Sequence, residues 1–197
     1  MKKDETTEER IKEAARVVFM KKGYAATRTR DIAEEAGINL ALLNYYFRSK
    51  EKLFHQVILE KVQQIFGVLK PVLTNENLTL ENKIQAIVDT YTKMLLENPD
   101  LPIFVFSELK NNPDLFEGKI NLDFVIKSSF VQQLHDRKPE INPVHFFISV
   151  LGLTVFPFLA KPMIFASSMA NETSFNTLME ERRNLVPMWI KILLDNK

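Results

Sequence analysis

The sequence predicts an all-α protein, with a small three-helix part at the N-terminus and a larger helical part after it. Apolar residues recur at the three- and four-residue spacing of helices along most of the 197 residues. Near the N-terminus, two short segments with this spacing are separated by a glycine. One apolar run, 101–109, fits either a buried strand or a buried helix, and we predict a helix because no partner strand is visible elsewhere.

The first helix is predicted from about Glu8 to Lys22. Thr6 and Glu9 have the spacing of a capping box at its start, and Gly23 is expected to end it. One face of this helix is apolar and should pack on the two short helices that follow. That face consists of Ile11, Ala14, Ala15, Val18 and Phe19.

The two short helices are predicted over residues 29–36 and 40–47. Gly37 should end the first because glycine readily adopts positive φ after a helix. The Asn39 side chain can cap the second helix, and Ser49 can cap the helix after it. Two short helices around a tight glycine turn form a helix-turn-helix, whose second helix can enter the DNA major groove.

The exposed side chains of this segment are expected to contact DNA. Basic and polar groups would bind phosphates, and the second helix would contact base edges. Leu40 and Ala41 could touch thymine methyl groups, whereas Asn44 could pair with adenine or contact a phosphate. The predicted contact set is Arg28, Thr29, Arg30, Asn39, Leu40, Ala41, Asn44, Tyr45, Tyr46 and Lys50.

Residues 8–56 resemble the N-terminal domain of the tetracycline-repressor (TetR) family of transcriptional regulators. The resemblance implies a homodimer on a near-palindromic operator and a small-molecule inducer bound among the middle helices. Leu40, Ala41, Leu42 and Asn44 depart from the usual family residues, which affects the expected base preference. The matching residues are Gly23-Tyr24, Thr27, Asp31-Ile32-Ala33, Ala36-Gly37, Leu43, Tyr45-Tyr46-Phe47, Ser49-Lys50-Glu51 and Leu53-Phe54.

We predict a helix-turn-helix domain over 1–50 and a regulatory and dimerisation domain over 51–197, with a connecting helix from about 50 to 70. That helix should reach Pro71, and a turn-rich segment should follow it. Thr79 is then expected to cap a helix with one apolar face. The residues of that face are Ile84, Ile87, Val88, Tyr91, Met94 and Leu95.

The C-terminal part is predicted to hold three further helices. One covers Leu122–Asp136, with Phe124, Ile126, Phe130, Val131 and Leu134 facing inward. A second begins at Asn142-Pro143 and ends at Lys161-Pro162, and residues 163–172 form a loop or partial turn. The last runs from about Ser174 to Leu194, and Pro187 should remove one hydrogen bond and bend it. Its predicted apolar side comprises Leu178, Arg182, Leu185, Val186, Trp189 and Leu193.

The middle of the chain is rich in Phe and Met, which most simply form a helical core. The resemblance implies instead that some of them line an inducer cavity: Tyr91, Met94, Phe104, Phe106, Phe124, Phe130 and Phe147. The helix after Pro143 is apolar nearly all round, so it is either an ordinary core helix or part of a dimer interface. The predicted interface residues are Phe146, Val150, Phe156, Leu185, Trp189 and Leu193.

Composition argues against several other classes of protein. Cysteine is absent, the three histidines are scattered, and common nucleotide-binding and hydrolase motifs are missing, so we expect no metal, no cofactor and no enzyme activity. With no apolar run long enough for a membrane span, no recognisable secretory signal and no cysteine, a cytoplasmic protein is expected. The leading hypothesis is a dimeric DNA-binding repressor released by a small apolar ligand. The alternative is an architectural or scaffolding DNA-binding protein whose C-terminal domain binds another protein.

Overall fold

The computed structural model describes residues 6–115, 117, 123–166 and 172–196, and their regular secondary structure is helical, as predicted. The chain divides into two compact units. The first is Met1–Gln63 with Phe104–Lys119, and the second is Gln64–Ile103 with Ile120–Lys197. The first unit therefore extends beyond the expected boundary at residue 50 and includes a later segment. No helix of the described residues is long and apolar enough to cross a membrane.

Twelve α-helices and one short 3-10 helix, Pro113–Leu115, make up the described structure. The α-helices are α1 Thr7–Ala26, α2 Thr29–Glu35, α3 Leu40–Tyr46, α4 Lys50–Gly67, α5 Leu69–Leu73, α6 Leu80–Glu97, α7 Leu101–Asn111, α8 Asp123–Ile126, α9 Ser129–Arg137, α10 Pro143–Leu159, α11 Lys161–Ala166 and α12 Glu172–Asp195.

The first unit is built on α1, whose predicted apolar face is buried. Thr6 and Glu9 form the expected capping box, with the Glu9 N–H donating to Thr6 Oγ1 at 3.2 Å. Gly23 interrupts the helix with a φ of 74°, which only glycine adopts without strain. Helix α1 packs on α2, and α2 packs on α3. Their shared core contains Ile11, Ala14, Ala15, Val18, Phe19, Ile32, Ala33, Ala36, Leu43 and Phe47.

The second unit is organised around α6, which packs against α5, α9, α10 and α12. Thr79 caps this helix as predicted, with its hydroxyl accepting from the Asn82 N–H at 3.2 Å. Because partners surround α6, it is buried on more than one side. Its buried residues are Leu80, Lys83, Ile84, Ile87, Val88, Tyr91, Thr92, Met94 and Leu95.

Lys83 is a charged residue inside this second unit. Its side chain is shielded from solvent, and Nζ donates to Ser129 Oγ at 2.6 Å and to Gln133 Oε1 at 2.9 Å. Burial lowers the pKa of the Lys83 ammonium, because removal from water disfavours the charged form. These hydrogen bonds tie α6 to α9.

Pro157 lies inside α10 and cannot donate a hydrogen bond to the carbonyl of Leu153, four residues earlier. The Arg182 side chain of α12 supplies the missing donor, with Nη2 at 2.7 Å from the Leu153 oxygen. The break in the α10 hydrogen-bond pattern is therefore satisfied by a neighbouring helix.

Pro187 creates the same situation in α12, where it leaves the Arg183 carbonyl without its usual helical donor. Nε2 of Gln85, on α6, donates to that carbonyl at 3.0 Å. The predicted loss of one helical hydrogen bond follows from the chemistry of proline. The structure adds that a side chain from α6 compensates for it.

Pro71 does not end the helix that begins at Lys50. Helix α4 ends at Gly67, and Pro71 is the third residue of the short helix α5. Proline is tolerated there because the N–H groups of a first turn have no helical acceptor. Pro71, which was predicted to end the helix from Lys50, therefore lies in the first turn of the next helix, α5.

The helix predicted over 122–136 was wrong as a single element. Ser128 caps α9 by accepting from the Val131 N–H at 3.4 Å, and it separates α9 from the short helix α8. Ile126, predicted to face inward, is the last residue of α8 and is 54% exposed. Leu122 lies outside the described residues.

The loop or partial turn predicted over 163–172 is a helix in its first part. Helix α11 spans Lys161–Ala166, following directly on α10 after Ala160. Pro162 is its second residue, where the N–H has no helical acceptor in any case. Residues 167–171 lie outside the described residues.

Candidate DNA-binding site

The turn between α2 and α3 has the expected helix-turn-helix geometry. Gly37 has a φ of 62°, and the following Ile38 N–H donates back to the Ala33 carbonyl at 3.0 Å. A side chain at Gly37 would be strained in this left-handed conformation. Asn39 then caps α3 as predicted, with Oδ1 accepting from the Leu42 N–H at 2.8 Å. These two features fix the direction in which α3 leaves the turn.

Helix α3 presents most of its seven residues to solvent. Leu43 is completely buried and anchors the helix, together with Phe47 just after its end. The Tyr45 ring is 79% exposed, and Leu40 and Leu42 are each 36% exposed. Ala41, Asn44 and Tyr46 are also exposed. The side chains predicted to face DNA therefore do lie on the free surface of this helix.

The exposed face of α3 contains no charged residue. Arginine and lysine are the usual side chains that recognise guanine, so α3 has no group of that type. Its apolar groups can contact thymine methyl groups, and Asn44 has the donor and acceptor geometry for adenine. This combination suits A·T base pairs in the major groove.

The start of α2 carries the predicted basic residues. Arg28 and Arg30 are exposed, and Thr29 is half-buried. The Arg28 N–H donates to the Asp31 carboxylate at 3.0 Å, and Lys22 Nζ lies 3.1 Å from the same carboxylate. These contacts lower the pKa of Asp31, the backbone hydrogen bond being the larger cause. The Asp31 carboxylate thus orders this segment, and no described residue forms an ion pair with the exposed guanidinium groups of Arg28 and Arg30.

Lys50 has a structural role that sequence reasoning missed. Its Nζ donates to the carbonyls of Tyr24 at 3.0 Å and Thr27 at 2.9 Å, and it lies 4.3 Å from the centre of the Tyr24 ring. Two of the three ammonium N–H groups therefore hold the segment after α1 against the start of α4. Only the remaining N–H can serve the predicted DNA contact.

Thr27 is a second structural residue of this segment. It is 2% exposed, and its hydroxyl donates to the Gly23 carbonyl at 2.7 Å. Its position after the glycine that interrupts α1 was the available signal, because threonine hydroxyls often bond nearby backbone at helix ends.

The residues predicted to line a ligand cavity are distributed over both units. Phe104 packs on Phe54 in the first unit with ring centres 6.2 Å apart, and Phe106 is 42% exposed. In the second unit, the Tyr91 hydroxyl donates to the Ile65 carbonyl at 2.6 Å, and burial raises the pKa of Tyr91. Met94 is buried and Phe124 is half-buried.

Phe130 and Phe147 belong to an aromatic cluster of the second unit. The Phe130 ring centre lies 5.9 Å from that of Phe146 and 6.4 Å from that of Phe147. All three side chains are buried, so they form a core between α9 and α10. Their packing agrees with the simpler of the two interpretations, a helical core, and the predicted ligand cavity stays a prediction.

Two of the predicted interface residues are instead core residues of a single chain. Phe146 is 5% exposed and Val150 is fully buried. Phe156 and Leu193, by contrast, are 62% and 56% exposed. Leu185 and Trp189 are half-buried. Helix α10 is thus not buried all round, and one of its apolar sides faces solvent.

Known proteins resemble this chain in sequence and in fold. Residues 11–57 match the family model described as bacterial regulatory proteins, tetR family. The chain is 25% identical to a probable HTH-type transcriptional regulator, YttP of Bacillus subtilis, over 81% of this chain and 80% of the relative. It is 29% identical to the HTH-type transcriptional repressor KstR2 of Mycolicibacterium smegmatis, over 49% of this chain and 54% of the relative.

A putative transcriptional regulator from Streptomyces coelicolor has a similar fold. The TM-score is 0.68 at 19% sequence identity, and the match covers 95% of this chain and 98% of the other. Together with the geometry of α2 and α3, these similarities define a helix-turn-helix regulator that binds DNA. The family-model match over residues 11–57 confirms the resemblance of this N-terminal part to the TetR family of transcriptional regulators.

Proposed function

We propose that this regulator is a repressor that binds a near-palindromic operator as a homodimer. Each copy would place α3 in the major groove of one half-site, with the half-sites about 34–36 Å apart. The main support for this proposal is that α3 is anchored by buried Leu43 and Phe47 and leaves its other face exposed. The name of KstR2, a transcriptional repressor, supports repression over activation.

The dimer is supported by solvent-exposed apolar side chains on α10 and α12. Contiguous apolar surface on a protein of this size usually marks an interaction site. A two-fold axis would pack the same face of each copy on the other. The exposed apolar residues on these two helices are Val144, Ile148, Phe156, Leu178, Met188, Ile192 and Leu193. We retain Phe156, Leu185, Trp189 and Leu193 as interface residues, and exclude Phe146 and Val150.

Selection of bound duplexes from a random DNA library by the purified protein would test the operator proposal. We expect enrichment of a near-palindrome with A·T-rich half-sites about one helical turn apart. Binding without any enriched sequence would overturn the proposal and favour the architectural alternative. The comparisons favour the regulator over that alternative.

Two substitutions would test the contact set on the selected operator. Arg30→Ala and Tyr45→Ala remove exposed side chains, so we expect weaker operator binding with an unchanged melting temperature. Lys93→Ala provides a control, since Lys93 is exposed on α6. Unchanged affinity in either DNA-contact variant would remove that residue from the set.

We infer that a small apolar ligand releases the regulator from its operator. The aromatic residues of the second unit, including Phe130 and Phe147, offer the apolar contacts that such a ligand needs. Moving the protein from almost fully bound to almost fully released takes about 5.5 kcal/mol of differential affinity. An operator-release assay with a library of apolar compounds tests this inference. A Phe130→Leu variant should change the response to an active compound while still binding operator.

A further inference from the structure

Arg182 of α12 lies beside the exposed apolar surface, and no described residue supplies it with a counter-charge. Nη2 donates to the Leu153 carbonyl, and the guanidinium carbon is 5.3 Å from the centre of the Trp189 ring. The Nε atom is buried and has no hydrogen-bond partner in the described part of the chain. Among the described residues no carboxylate forms an ion pair with this guanidinium. Burial lowers the pKa of Arg182, since desolvation disfavours its charge.

Other arginines of the second unit are paired. Arg183, the next residue, binds Asp89 at 2.9 Å and Glu180 at 2.7 Å. Arg137 binds both Glu81 and Asp195. A partly buried charge without a partner is unfavourable. Among the described residues of its own chain, Arg182 therefore differs from these arginines in having no carboxylate partner.

The same surface offers one candidate acceptor for Arg182. Among the described side chains of α10, α11 and α12, the acidic residues are Glu180, Glu181 and Asp195. Glu180 is bound to Arg183, and Asp195 to Arg137. Glu181 is exposed, and the described structure gives it no ion pair or side-chain hydrogen bond. This surface therefore carries an unpaired base and an unpaired acid on adjacent residues.

Adjacent helical residues point about 100° apart around the axis. Glu181 and Arg182 consequently lie on opposite sides of the apolar stripe formed by Leu178, Leu185 and Trp189. A two-fold axis that packs this stripe on its copy places two unpaired acids and two unpaired bases at one interface. The structure gives no ion pair between Glu181 and Arg182 within one chain, whereas the acid of one copy can meet the base of the other across the two-fold axis.

We propose that Arg182 pairs with Glu181 of the partner subunit, and that this pair occurs twice in the homodimer. The proposal rests on the dimer described under the proposed function and adds the polar contacts that set its register. Charged contacts of this kind select the correct partner and alignment, whereas the apolar stripe supplies most of the contact area.

Charge reversal with mixing tests the pair. In an R182E homodimer two carboxylates would face each other at each contact, and in an E181R homodimer two guanidinium groups would do so. Like charges at both contacts should raise the dissociation constant of each homodimer by about tenfold or more. In a heterodimer of the two variants, each chain carries a single sign of charge at this surface, so opposite charges meet at both contacts. Native mass spectrometry of the mixture, with one variant carrying a mass tag, should therefore show mainly heterodimers.

Controls separate this pair from the intrachain role of Arg182. R182E also removes the donor to Leu153, so its fold is checked by circular dichroism. If R182E fails to fold, E181R alone still tests the ion pair, because the described structure gives the Glu181 side chain no hydrogen bond that the substitution would remove. E181R should then weaken the dimer more than E181Q does, with a penalty that shrinks at high salt.

The outcomes distinguish the two proposals. A wild-type protein that sediments as a monomer overturns the dimer itself. A wild-type dimer whose two variants assemble with no preference for the heterodimer overturns the ion pair and leaves the dimer intact. Equal dissociation constants for E181R and E181Q would also overturn the pair.

Discussion

Helices α3 and α6 are stabilised in opposite ways. Helix α3 is seven residues long, is held by the Asn39 cap and by buried Leu43, and leaves its other side chains exposed. Helix α6 has eighteen residues and packs against four neighbouring helices. A helix that contacts DNA must keep its surface exposed. Helix α3 is therefore stabilised by a cap and one buried side chain, whereas α6 is stabilised by burial against its neighbours.

This difference separates function from stability along the chain. Changes on the free face of α3 should alter operator affinity at constant stability, whereas changes in α6 should alter stability first. Four experiments, given in order of decreasing expected effect, test this separation of function from stability.

Ile87→Ala should give the largest effect. Ile87 is 1% exposed, and truncation of a buried isoleucine costs about 2–5 kcal/mol. Chemical denaturation measures the change. Lys93→Ala on the exposed side of α6 should stay within about 0.5 kcal/mol of the parent. A similar loss in both variants would show that burial does not dominate this helix.

Gln85→Ala tests whether a polar side chain of α6 also contributes to the free energy of unfolding. Loss of the donor to the Arg183 carbonyl should cost about 1–3 kcal/mol, because that carbonyl has no helical donor at Pro187. In a Pro187→Ala background the helical N–H returns, so the same change should cost less. Urea denaturation of the four proteins measures the coupling. Equal costs in both backgrounds would contradict the compensation.

Uracil substitution tests the apolar face of α3 once an operator has been selected. Replacing a contacted thymine removes one methyl group, worth about 0.8 kcal/mol or about fourfold in affinity. Leu40→Ala should abolish the sensitivity at the position that Leu40 contacts. An operator binding equally well with uracil at every thymine would exclude methyl recognition.

The smallest effect concerns the ordering of α2 by Asp31. Since its contacts lower the pKa of Asp31, they stabilise the native state above the ordinary Asp pKa of about 4. This contribution is lost as the pH falls through the lowered native pKa. Asp31→Asn should therefore lower the melting temperature at pH 7, and the difference should shrink in strong acid. Glu35→Gln, at the exposed end of α2, serves as the control.

Local signals predicted much of the fold. Asn39, Thr79 and Asn142 each cap the expected helix, because a cap depends on residues two or three positions apart. The exposed surface of α3 was also predictable from local spacing, because Leu43 and Phe47, four residues apart, define the buried side of this short helix.

The faces of α12 could not be predicted in the same way. The proposed apolar side included Leu178 and Leu193, but both are exposed in the chain. The buried side consists of Phe175, Met179, Val186, Ile190 and Leu194. Both sets have helical spacing, so the sequence cannot tell which one faces α6 and α10. The bonds of Lys50 and Lys83 were missed because their acceptors lie far away in sequence.

The two carbonyls freed by Pro157 and Pro187 limit how α12 can move within its unit. One is held by Arg182 of α12 and the other by Gln85 of α6, so each bond spans two helices. Sliding α12 along its axis by one turn, about 5.4 Å, would break both bonds together and leave two partly buried carbonyls without these donors. A small tilt around these two points breaks neither. The two prolines therefore allow α12 to tilt slightly within its unit but oppose its sliding along the helix axis.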